Sequence, residues 1–135
     1  MIYINDIINA TLCGEFVIFA DDTNIFVSGN TKTEAYKLAN SVLRSVFIYM
    51  LTNQLHINIS KCAHMYFRPN LNNEERMSCA RAQQYDRNFV LFVNGQKVKR
   101  VDKIKFLGVI IDEKLNWDDH IEYLENKLLS TIVQD

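Results

Sequence analysis

The residues best suited to chemistry are two adjacent acids, Asp21 and Asp22, standing between the apolar runs Phe16 to Ala20 and Ile25 to Val27. Two β-forming runs around a short polar tip read as a β-hairpin with a tight turn. Aspartate suits such a turn, because its short side chain bonds locally and tolerates left-handed backbone. Hard divalent cations prefer carboxylate oxygens, and a rigid turn presents two of them at a fixed spacing. The stretch therefore reads as a metal-ready hairpin.

Other candidate groups are weaker. Cys62 and His64, with His56 nearby, contain zinc-binding residue types, but their spacing matches no common zinc site. Cys13, Cys62 and Cys79 are odd in number and widely spaced, the pattern of reduced thiols in an intracellular protein, in the cytoplasm or nucleus, not of a disulfide framework. Apolar residues make up 48% of the 135 residues and charged residues 23%, an ordinary globular balance of about one domain. The formal net charge of -1 hides an asymmetry. Residues 61 to 105 carry ten basic and four acidic groups, whereas residues 106 to 135 carry two basic and seven acidic. A basic middle third beside an acidic hairpin fits a polyanion held near a metal; a solvated lysine-rich surface fits the same composition. No secretory signal is visible, and the longest apolar run, Val46 to Leu51, is far too short to cross a bilayer.

The elements that position these groups follow in order. Thr31-Lys32-Thr33-Glu34 is a capping box. Ala35, Leu38, Ala39, Val42, Leu43, Val46, Phe47 and Met50 then keep the period of a helix packing one face on a sheet, over about 31–53, ending near Asn53. Leu55, Ile57 and Ile59 alternate with polar residues, and Ala63 to Arg68 reads as a strand. Residues 69 to 88 lack a pattern, with a short helix around Glu74 to Gln83 as one reading. Asn94-Gly95 between Phe89–Val93 and Gln96–Lys99 marks a hairpin. Ile104 to Ile111 reads as one strand centred on Phe106-Leu107-Gly108. Asn116 is placed as the N-cap of a last helix, with Asp118 and Asp119 in its first turn and Ile121, Leu124, Leu128 and Ile132 as its stripe.

Taken together, the ordered motifs resemble the reverse transcriptases of non-LTR (LINE or jockey-like) retrotransposons. Phe19-Ala20-Asp21-Asp22 is similar to their catalytic turn, and Ile2-Tyr3-Ile4-Asn5-Asp6-Ile7 to the stretch before it. Asn53-Gln54-Leu55-His56-Ile57-Asn58 with Ser60-Lys61 resembles the motif after the palm helix. Lys105-Phe106-Leu107-Gly108-Val109 resembles the primer grip, and Leu115-Asn116-Trp117 through Leu124 the start of the thumb. Tyr49 stands where tryptophan is usual, and Cys62 where threonine is common. The resemblance implies an α+β fold: a partial palm over 1–112 with an antiparallel sheet and packed helix, the primer-grip-like strand at 104–111, and the start of a thumb helix over 113–135.

It also implies RNA-directed DNA synthesis by two-metal nucleotidyl transfer, with Mg2+ (or Mn2+) as cofactor and an RNA template, a DNA primer and dNTP as partners. Asp21 and Asp22 would be the catalytic metal ligands, Asp21 the more direct. Lys61 would face the incoming triphosphate, though an exposed turn lysine is an equal reading of the residue alone. Phe106, Leu107 and Gly108 would hold the primer end; on residue type they read as core strand. Trp117 either stacks on nucleic acid or anchors the last helix to the sheet. Lys97, Lys99, Arg100, Lys103 and Lys105 form the candidate nucleic-acid face.

In this family a third catalytic aspartate and the fingers precede the turn, and Asp6 belongs to a different motif. The expectation is a fragment that does not polymerise DNA alone, with a non-enzymatic remnant that binds nucleic acid weakly as the alternative. An unrelated hydrolase would need a general base that the sequence does not place. Palm surface left bare predicts self-association, and no membrane partner is expected.

Overall fold

The computed structural model describes residues 5–20, 22–67 and 89–132. Asp21, the strand end at Arg68, the helix expected around Glu74 to Gln83 and the Ile2-Tyr3-Ile4 stretch lie outside the described residues. The chain divides into two compact units, one of Met1–Cys62 with Gln83–Val98, the other of Ala63–Ala82 with Lys99–Asp135.

In the first unit a 3-10 turn, Asn5–Ala10, leads to strands β1 (Glu15–Phe19) and β2 (Asp22–Phe26). They pair antiparallel with Phe16 opposite Ile25 and Phe19 opposite Asp22, so Ala20 and Asp21 are the whole connection. Alternation places Phe16, Ile18, Ile25 and Val27 on one face, where they pack against Ile7, Val42 and Val46. Val42 and Val46 belong to helix α1 (Lys32–Thr52) and are almost fully buried.

The capping box forms. Thr31 is extended (φ -131°, ψ 157°) and its hydroxyl accepts from the Glu34 N–H at 3.1 Å. The Glu34 carboxylate reaches back to the Asn30 N–H at 2.9 Å, one residue earlier than the cap itself. Gly29 is needed just upstream, since a Cβ there would stand 2.6 Å from the Ala35 nitrogen. The helix ends where expected, but the division of labour differs. Asn53 keeps a right-handed backbone (φ -93°), and Gln54 takes the left-handed step (φ 56°) that lets the Leu55 N–H reach the Met50 carbonyl at 2.8 Å.

The Asn94-Gly95 hairpin also forms, as strands β4 (Phe92–Val93) and β5 (Gln96–Lys97), with φ values of 50° and 72° at the two turn residues. One helix side chain ties this segment down. Asn40 donates to the Val90 carbonyl (3.1 Å) and accepts from the Phe92 N–H (3.0 Å), while also donating to Tyr36 of its own helix (3.0 Å). Tyr36 meets Phe89 with ring centroids 5.1 Å apart.

In the second unit β3 (Ala63–His64) runs parallel to β6 (Lys99–Arg100), so the strand expected through Phe67 has only two paired residues. The expected single strand from Ile104 to Ile111 is instead a hairpin, β7 (Lys103–Phe106) with β8 (Val109–Asp112). Helix α2 (Asp118–Ile132) packs on β8. Asn116 is not its N-cap. The Ile121 N–H bonds back to the Trp117 carbonyl, which puts Trp117 at the cap position, and the Asn116 N–H donates instead to the Asp112 carboxylate at 3.0 Å. Among the described residues every sheet has two strands.

Replacing Asn40 with alanine strands the partly buried Val90 carbonyl and leaves the exposed Phe92 N–H to water. We expect Asn40→Ala to destabilise the chain by about 2 kcal/mol in urea denaturation followed by far-UV circular dichroism, and by more than an exposed helix substitution such as Lys37→Ala.

Candidate functional site

A two-residue connection demands left-handed backbone, and Ala20 adopts it with φ 51°. Asp22, the first residue of β2, lies opposite Phe19 on the strand face turned away from α1. That face also carries Val17, Phe19 and Phe26, which are 43%, 57% and 44% exposed, enough apolar area for a contact surface beside the acid. Asp22 itself is exposed. Lys61 closes a 3-10 turn, Ile59–Lys61, in the same unit and is exposed. Its neighbour Cys62 is half-buried, and burial pushes its thiol above the ordinary range, away from the reactive thiolate. Among the described residues no three His, Cys, Asp or Glu side chains converge as a metal site, the zinc candidates included.

The remaining candidates fall mostly in the second unit. Phe106-Leu107-Gly108 is not the middle of a strand. Leu107 (φ 48°) and Gly108 (φ 87°) form the turn between β7 and β8, and Leu107 stands 54% exposed at its tip. Gly108 was the available signal, masked by β-forming residues on both sides.

The basic face is partly spoken for. Arg100 lies 3.4 Å from Glu113, and Lys103 lies 3.2 Å from Asp119. The Asp119 hydrogen bond and charge hold the Lys103 ammonium above the ordinary lysine range. Lys105 donates to the Tyr123 hydroxyl at 2.7 Å, with its ammonium 4.6 Å from the ring centroid. That bond and the lysine charge favour the phenolate and lower the Tyr123 pKa. Lys97 and Lys99 are exposed; the boundary between the two units runs between them, so the five cations do not form one patch within a single unit.

The sequence reading of Trp117 as an anchor is overturned. It is 64% exposed, at the start of a row of rings: Trp117 to His120 at 6.0 Å and His120 to Tyr123 at 6.2 Å.

Comparison with known proteins adds an origin. The chain is similar to the retrovirus-related Pol polyproteins from two type-1 retrotransposable elements of Nasonia vitripennis, R1 3 and R1 4. Identity is 24% over 116 residues in the first and 24% over 117 in the second. The matches take in 86% and 82% of this chain but 28% and 29% of the relatives, so it spans less than a third of their length. No protein-family profile matches the chain, and no solved structure matches it. The similarity supports a retrotransposon-related origin.

Lys103 and Tyr123 of the second unit are shifted in defined directions. Because the folded Lys103 pKa is raised, the pair's contribution is fully present below the ordinary lysine range and is lost as pH rises through the raised value. Lys105→Met should return the Tyr123 phenol upward toward its ordinary value, read as phenolate absorbance with Tyr123→Phe as the blank. An unmoved transition would mean that the lysine does not bear on the phenol.

Proposed function

We propose that the chain is a portion of an RNA-directed DNA polymerase, comprising part of an α+β palm and the first helix of a thumb. The observation that carries this is the hairpin on which the motif falls. The motif resembling the polymerase turn falls on a two-residue hairpin connection whose first residue, Ala20, is left-handed, followed by the exposed Asp22 at the start of β2. The similarity to Pol polyproteins over most of the chain supports the same reading.

Asp21 and Asp22 would hold Mg2+ (or Mn2+), and their hard oxygens fit that donor chemistry. Bound there, the cation would supply activation of a primer 3′-hydroxyl and charge neutralisation at the leaving pyrophosphate. The chain's own residues supply the rest. The packed hairpin positions Asp22, and Lys61 offers a positive group to the dNTP triphosphate. The Leu107-Gly108 turn offers an apolar tip and close backbone to the primer strand. Two carboxylates make part of a cation cage, so affinity should be low and primer extension on an RNA template absent for these 135 residues alone.

A second reading is a non-enzymatic remnant that binds nucleic acid weakly. Exposed Lys97 and Lys99 favour it; the pairing of Arg100 and Lys103 with acids weakens it.

The test is Mn2+ binding to the 135-residue protein, read by paramagnetic broadening of backbone resonances around the turn. We expect a dissociation constant on the order of millimolar, raised at least about tenfold in the Asp21→Asn, Asp22→Asn double variant, with the fold unchanged because Asp22 is exposed. Equal affinity in the double variant refutes the metal role of the turn. Primer extension by the chain alone, abolished by Asp21→Asn, would refute its incompleteness.

A further inference from the structure

One surface feature is left over from the polymerase reading: the row of rings along helix α2. Trp117, His120 and Tyr123 are spaced three residues apart, which puts neighbours on adjoining turns of one side of the helix. Trp117 is the most open of the three, at 64% exposure, and meets His120 at an interplanar angle of 57°. His120 and Tyr123 lie closer to parallel, at 23°. Two hydrogen bonds hold this row in place. The Ile110 N–H of β8 donates to His120 Nδ1 at 3.3 Å, and Lys105 of β7 donates to the Tyr123 hydroxyl at 2.7 Å. The inner rings are thus oriented from the β7–β8 hairpin, while the outer one faces solvent.

An exposed indole contributes nothing to the core and leaves apolar area in water. What it can do beside oriented rings and a lysine is stack a flat partner and steer an anion. We infer that Trp117, His120, Tyr123 and Lys105 form a platform for single-stranded nucleic acid, in which bases stack on Trp117 and along the row while Lys105 meets a phosphate. Base–aromatic stacking needs no sequence, because every base has a π face. The inference rests on the nucleic-acid reading above but uses none of the catalytic turn.

The local charges shape what this platform should look like in solution. Asp118, Asp119 and Glu122 flank the rings on α2, and Lys103 meets the charge of Asp119. Acids this close oppose a polyanion, so affinity must come from stacking more than from phosphate contacts. A shallow salt dependence follows, with a log–log slope of roughly -0.7 for one phosphate contact, unlike the steep slope of a basic face.

Trp117 is the single tryptophan of the chain, so its fluorescence reports on this site alone. Titration with an oligo(dT) or oligo(rU) of about eight nucleotides should quench it with the shallow slope. Measured by anisotropy of a labelled oligonucleotide, Trp117→Ala should weaken binding roughly tenfold and Trp117→Phe by less, with circular dichroism unchanged. Three results would each overturn the platform: no quenching at saturating oligonucleotide, equal affinity in Trp117→Ala, or duplex of the same length bound as tightly as the single strand. Asp22→Asn should leave the quenching intact, so failure of the metal site and failure of the platform read out separately.

Discussion

The candidate catalytic turn depends on the packing of β1 and β2 against α1. A two-stranded hairpin is marginal by itself in water. Here Phe16, Ile18, Ile25 and Val27 close over Ile7, Val42 and Val46, and that contact anchors the two strands on the helix. It also fixes the register. Strand side chains alternate, so turning β2 over by a slip of one residue would point Asp22 toward the helix and Ile25 to solvent. Burying an unpaired carboxylate costs far more than the slip could recover. The same apolar contact that stabilises the hairpin therefore keeps the carboxylate outward, and fold and display are one constraint.

Where the sequence is read by local chemistry, structure follows it closely. Thr31 and Glu34 cap α1, its stripe buries Val42 and Val46, and Asn94-Gly95 turns as its residue types demand. The misreadings come from long-range or masked causes. Leu107-Gly108 sits inside a continuous β-forming run, and leucine is no turn residue, so the pattern reads as one strand. Asn116 has a capping side chain, but its N–H is taken by Asp112, whose carboxylate also accepts from Lys114 at 2.8 Å. That local loop moves the helix start by one residue. Asn40 is a polar residue in a helix, and only the fold brings it to residues fifty positions away. Of the site, the acid pair is legible in residue types. The spacing of the ring row is legible too, but the bonds from Ile110 and Lys105 that orient its inner rings are not, because they need β7 and β8 to be a hairpin.

Composition overstated the basic face for a related reason. The excess of cations in residues 61 to 105 and of acids in residues 106 to 135 looks like two separate fields. Folding places Arg100 beside Glu113 and Lys103 beside Asp119, so much of each cancels at short range. Neither pair is worth much stability, since both are partly exposed and screened. Their effect is on the potential that a polyanion meets, which is smaller than the segment totals imply.

Backbone strain gives an independent view of which turns do something. Ala20, Gln54, Asn94, Leu107 and Leu115 all have positive φ without being glycine, at a cost of roughly 1–2 kcal/mol for residues other than Asn. Asn94 is the residue that such a turn prefers. Gln54 ends a helix, and the Leu115 N–H is held by the Asp112 carbonyl at 3.1 Å, so both have a local structural reason. Ala20 and Leu107 sit where a hairpin connection demands left-handed backbone, but the turn does not account for their residue types. Each opens a two-residue hairpin connection, where stability alone would select Asn, Asp or Gly. Leu107 adds the cost of an exposed aliphatic side chain. Strain of this kind persists where another requirement sets the residue, and the two positions are the ones where the polymerase reading puts the catalytic acids and the primer contact. A leucine at the Gly108 turn gives the tip an apolar surface that asparagine would lack.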